Sequence, residues 1–169
     1  MRNLFLIFSI CLLASCSNDD EAIPNIENIY GSWEKAESIS AEQFDLDSTY
    51  SYSAKQVLKL NRDNSFEWLI YVTNSESGEI IGYRQKETGT FSQNENVLSF
   101  NLDRFEPEQD ATSSSYKLTA LENLMLTDQN ITMNYKFKLL TSIKTLFFDF
   151  PSCSSNNTCR ADFELNKVD

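Results

Sequence analysis

Four thiols and 25 carboxylates are the groups in this chain with chemistry to offer, and there is no histidine beside them. Without imidazole, the chain lacks the commonest general base near neutral pH, the base of Ser-His and Cys-His nucleophile pairs, and the commonest metal ligand. Carboxylate-pair catalysis of the glycosidase kind stays open. With so many acidic side chains, however, some pair always falls at a plausible spacing, so the pattern selects nothing. The thiols are more informative. Cys16 directly follows Leu13-Ala14-Ser15, and Cys153 and Cys159 close the polar segment Ser154-Ser155-Asn156-Asn157-Thr158. Two thiols with no histidine nearby leave a zinc shell incomplete. No metal, no cofactor and no catalytic residue is assigned, and the chain is read as a non-enzyme.

The N-terminus explains Cys16. Met1-Arg2-Asn3 supplies one positive charge, Leu4 to Leu13 an apolar run, and Ala14-Ser15 a small-residue junction, which together make a secretory signal peptide. The run of about ten residues is half of what spans a bilayer core. The junction Leu13-Ala14-Ser15-Cys16 resembles the lipobox of bacterial lipoproteins. That resemblance implies a signal peptide over 1–15, cleavage before Cys16, a diacylglycerol on its thiol and an acyl group on the new amine. At about 0.8 kcal/mol per buried methylene, several acyl chains make a stable anchor. The protein is thus expected to be lipid-anchored to a membrane without spanning it.

Residues 16–28 read as a tether, with Ser17-Asn18-Asp19-Asp20-Glu21 and Pro24. The acidic run resembles the export signal that some Gram-negative bacteria use for surface lipoproteins, which implies the outer membrane with the protein exposed at the cell surface. The alternative is a solvated tether, since a polar stretch without apolar residues does not collapse. Cys11 leaves with the signal. In an oxidising envelope, Cys153 and Cys159 then read as a disulfide, contributing roughly 2–3 kcal/mol for so short a loop.

What remains, 29–169, is enough for one domain and one core. Formal charge is −11 for the full chain, and one unit more negative once Arg2 is removed. No Lys/Arg cluster offsets it, so nucleic acid is excluded as a partner and anionic lipid is repelled by the surface as a whole.

The elements that must position any site are strands. Ile131, Met133, Tyr135, Phe137 and Leu139 alternate with polar residues, the mark of a strand with one wet face. Phe66, Trp68, Ile70 and Val72 form a second set and Leu98, Phe100 and Leu102 a third. Leu146, Phe148 and Phe150 face Ala161, Phe163 and Leu165 across the cysteine loop, a predicted hairpin clamped at its tip. Turn signals fall at 61–65, 74–78, 92–96 and 127–130. The pattern predicts an all-β, antiparallel, up-and-down barrel of about eight to ten strands. Two stretches break the rhythm: Ile39 to Ala54, with a possible helical turn at 41–46, and the acidic, Ser-rich 103–115, read as an exposed loop.

Tyr30-Gly31-Ser32-Trp33 at the head of the first strand resembles the Gly-x-Trp signature of lipocalins. Val57 to Phe66 resembles the strand-turn-strand that follows in bacterial lipocalin-like lipoproteins, and Gly89-Thr90-Phe91 through Asn96 to Phe100 their next hairpin. The likeness covers Ile29 to Thr127. Asp63-Asn64 departs from the Asp-Gly frequent in those relatives, and the remaining lipocalin motifs are not matched. The resemblance implies that Trp33 closes one end of the barrel. It also implies that the loop after the first strand lids the other end, with Phe44, Tyr50 and Tyr52 over a small apolar ligand held against inward residues such as Trp68. The alternative is a filled barrel, in which these aromatics only pack and the loops, led by the acidic 103–115, meet a partner at the surface.

Overall fold

The structure is a computed structural model, and it describes residues 25–108, 115–149 and 163–168. The signal peptide, Cys16, the tether as far as Pro24, the core of the acidic loop, and the loop holding Cys153 and Cys159 lie outside the described residues.

Eight strands run in sequence: β1 (Gly31–Ile39), β2 (Tyr52–Leu60), β3 (Ser65–Asn74), β4 (Ile80–Asn94), β5 (Val97–Glu106), β6 (Met125–Leu140), β7 (Thr145–Asp149) and β8 (Phe163–Val168). Each pairs antiparallel with the next, and β1 pairs with β8, so the sheet closes into an up-and-down barrel. The architecture is the one that the alternation predicts, and it is consistent with a lipocalin-like fold. The seam between β1 and β8 is short, joining Ser32–Glu34 to Asn166–Val168. Beyond it, among the described residues, Lys35–Ile39 of β1 and Met125–Tyr135 of β6 have a strand partner on one side only.

Trp33 is buried at the end of the barrel where β1 begins. A single helical turn, α1 (Ile26–Ile29), crosses this end with Asn25 as its N-cap. Ile29 and Trp33 are buried, and the indole Nε1 donates to the Ile29 carbonyl at 2.7 Å. Above them members of the predicted inward sets pack as one core with Leu58: Phe66, Trp68, Leu98, Phe100, Phe137, Leu146, Phe148, Phe163 and Leu165 among others. Leu146 opposes Leu165 and Phe148 opposes Phe163, as expected of the predicted hairpin. In the β2–β3 turn, Asn64 takes the left-handed conformation (φ 63°). Asn tolerates that region better than most residues.

Two readings need correction. The expected turn at 127–130 lies inside β6: Asn130 adopts a left-handed conformation (φ 54°) and the strand bulges instead of reversing. The expected loop at 103–115 starts late, since Asp103 to Glu106 belong to β5. In both places polar residues with turn propensity sit on a strand, where an irregular ladder accommodates them.

Candidate functional site in the barrel lumen

Register places Trp68 opposite Glu87, and Glu87 opposite Arg104. Directly opposed residues share a sheet face, so all three point into the barrel with the buried indole. The chain builds this layer with an irregularity. The β5–β6 register shifts on both sides of Arg104. The bulge is held by the Asn130 N–H donating to Asp103 Oδ1 at 3.0 Å and by Thr127 Oγ1 donating to the Arg104 carbonyl at 3.3 Å. A bulge re-aims the side chain it carries, here a guanidinium.

Glu87 Oε1 is the centre of the layer. Arg104 donates to it from Nε at 2.8 Å and lies 2.8 Å away at Nη2, and Gln85 Nε2 donates at 2.6 Å. The Met133 sulfur accepts from the Tyr135 hydroxyl at 2.8 Å and from Arg104 Nη2 at 3.8 Å. Asp128, half-exposed, has Oδ2 3.9 Å from Arg104 Nη1. The Glu87 side chain is 2% exposed and that of Arg104 21%, so the carboxylate is sealed in while the guanidinium keeps one flank toward solvent. A carboxylate so deeply desolvated is tolerated only when charge-paired and hydrogen-bonded.

The layer rests on an aromatic floor. Trp68 stacks on Phe148 at 6.1 Å between centroids and lies 5.5 Å from Phe163; Phe100 and Tyr135 extend the contact at 5.8 Å. Above the layer, a second cluster caps the distal end: Ala41 and Phe44 from the 3-10 turn Ala41–Phe44, with Tyr52, Val72 and the partly buried Leu118. The approach of Leu118 depends on Gly82, where a Cβ would stand 2.8 Å from the Leu118 Cβ. The backbone bridge between Tyr83 and Thr119 fixes that segment. Tyr116 ties it to the cap, its N–H donating to the Gln43 carbonyl and its ring lying against Phe44 and under Arg84.

The four ligand residues expected from the sequence are thereby separated. Trp68 is in the floor. Phe44 and Tyr52 are brought together in the cap and are buried, whereas Tyr50 projects outward, 53% exposed. Burial, with Asp47 and Tyr50 adding to it, raises the Tyr52 hydroxyl pKa above its usual value. The sequence reading missed Glu87 and Arg104. A signal for Glu87 exists: Phe91 and Gly89 face inward, and the same alternation carried back along β4 reaches Glu87 and Gln85. Arg104 has no such signal, because the bulge that orients it depends on a residue of another strand. Comparison with protein-family models, curated proteins and solved structures finds no match to this chain.

Proposed function

We propose that this protein is a lipocalin-like lipoprotein of the bacterial envelope, anchored through Cys16 at the outer membrane and exposed at the cell surface. Its barrel binds a small, mostly apolar molecule carrying one polar group. The observation that supports ligand binding most is the Glu87–Arg104–Gln85 layer set between an aromatic floor and an apolar cap. A barrel that needed only a core would be more stable with apolar side chains at these positions. Small barrels have room for one ligand, and a polar group placed in an apolar lumen is how such sites fix orientation. The ligand's apolar body would lie against Trp68 and its polar group would meet Arg104.

Native mass spectrometry of protein purified from its host membranes tests this. A small molecule should travel with the wild type and be lost from Arg104→Met. The anchor has its own test: Cys16→Ala should take up no labelled palmitate and leave the membrane fraction. Protein with Cys153 and Cys159 paired should show no free thiol when alkylated before reduction.

A second reading has an observation of its own. Phe66, Phe91, Phe100, Tyr135, Phe148, Phe163 and Trp68 form a continuous ring-to-ring network through the Trp33 half of the barrel. That packing favours a filled barrel that works through its distal loops. If no molecule accompanies the protein from its host, and an apolar replacement of the ion pair leaves its cellular role intact, this second reading stands instead.

A further inference from the structure

Toward the distal end, β4 changes its partner. β5 pairs with it from Asn94 back to Lys86. Beyond that point Tyr83 bridges to Thr119 instead, through backbone bonds of 2.8 and 3.1 Å. The stretch Tyr116–Thr119 thus continues the wall, but it also reaches across the barrel mouth. At its other end the Tyr116 N–H donates to the Gln43 carbonyl at 2.9 Å, on the 3-10 turn that follows β1. Between that turn and β4 stand β2 and β3. Leu118 packs down beside Tyr52 and Val72, which face inward at the ends of those two strands.

One side chain fastens this strap. The exposed Tyr116 ring has its centroid 5.7 Å from that of Phe44 and 4.0 Å from the Arg84 guanidinium carbon. A cation over a ring face is attracted by the ring quadrupole, so Phe44 on the turn and Arg84 on β4 grip the same ring. Among the described residues, three backbone hydrogen bonds hold the strap, whereas the strands it crosses are joined by continuous ladders. A segment held by few, exposed contacts opens locally at little cost while the rest stays folded. Below the strap and the apolar cap lies the Glu87–Arg104 layer, and below that Trp68 and the aromatic core. A molecule that reaches Arg104 along the barrel axis therefore passes the strap.

We propose that Tyr116–Thr119 is the gate of the lumen, and that the Tyr116 ring, held between Phe44 and Arg84, is its latch. This deepens the reading of the barrel as a binder and rests on it, because it states how a molecule enters and leaves. Opening breaks the Tyr116–Gln43 bond and lifts Leu118 from Tyr52 and Val72. The strands keep their pairing throughout.

Two measurements on the full-length lipidated protein in detergent test the gate. Hydrogen exchange is followed by mass spectrometry in peptides containing Tyr83 and Thr119. Quenching of tryptophan fluorescence by acrylamide reports on the lumen, the Trp68 contribution being the difference from Trp68→Phe. Arg84→Gln should raise exchange and Trp68 quenching together by about two- to fivefold, the factor that a cation–π contact at an exposed site supplies. Tyr116→Ala should raise both further, with exchange at Leu58 and Leu98 unchanged. Strap exchange that neither variant alters overturns the latch and the gate. Trp68 quenched as strongly in the wild type as in the variants reveals another way in; the gate then fails and the lumen reading stands. Faster exchange with Trp68 still shielded means that the strap lifts from a filled barrel, and the gate and the lumen reading fall together.

Discussion

Arg104 places both Nε and Nη2 2.8 Å from a single oxygen of Glu87, across the β4–β5 pairing and inside the barrel. A pair of this kind is costly to break and cheap to replace. Arg104→Met should destabilise the protein by roughly 3 kcal/mol, because it strands the buried Glu87 carboxylate, and Glu87→Leu by less, because Arg104 keeps a solvent-facing flank with Asp128 beside it. The double variant should recover most of that loss in urea unfolding. If the double variant is as unstable as either single one, the pair is holding strand register and the ligand reading loses its main support.

Tyr50 and Tyr52 are two residues apart and should respond oppositely. Tyr52 packs in the cap with Phe44 and Val72, whereas Tyr50 is in water. Tyr52→Ala should lower the melting temperature by roughly 10 °C, as core truncations do in domains of this size. Tyr50→Ala should leave it within about a degree. Equal effects would mean that the cap does not divide the loop as described.

Gly89 faces the β5 backbone so closely that a Cβ would fall 2.0 Å from the Asn101 carbonyl oxygen. Gly89→Ala must push β4 and β5 apart in the middle of the barrel. A loss of roughly 3 kcal/mol is expected, at the upper end for overpacking. A melting temperature equal to wild type would show that the two strands separate at no cost, against the tight ladder seen there.

The Asp63 carboxyl is held below its ordinary value of 3.8 by hydrogen bonds from the Ser65 hydroxyl and N–H, which close the β2–β3 turn. A folded-state pKa below the unfolded one contributes stability that is present above the unfolded value and lost as pH falls through the folded one. Asp63→Asn should therefore lie below wild type at neutral pH and converge with it as pH falls below 3.8. Parallel stability curves through that range would refute the linkage.

The barrel was legible because its inward residues alternate with few exceptions from Phe66 to Val72 and from Leu98 to Leu102, and because Asn-rich turns separate them. The site was not. Pattern reading looks for apolar residues at inward positions, and the lumen layer is made of Glu87, Gln85 and Arg104, which look like a solvated face. Lid and wall were separable only in three dimensions: Phe44 packs where a lid would lie, and the difference between Tyr50 and Tyr52 depends on where β2 begins. The bulge that aims Arg104 involves Asn130, more than twenty residues away, whose type signals a turn.

The short seam of the barrel governs the order in which it can be made. Every other pairing joins neighbours along the chain, but Ser32–Glu34 must wait for Asn166–Val168, about 135 residues later. A chain that emerges N-terminus first can form its hairpins as they appear, each by a local and rapid step. Closure comes only when the last strand is out, and among the described residues the entropy of joining such distant segments is met by three residue pairs. Until then β1 is an open edge, the kind of surface that recruits strands from other molecules. Loss of Asn166–Val168 would leave it so permanently, turning a closed barrel into a sheet prone to aggregate.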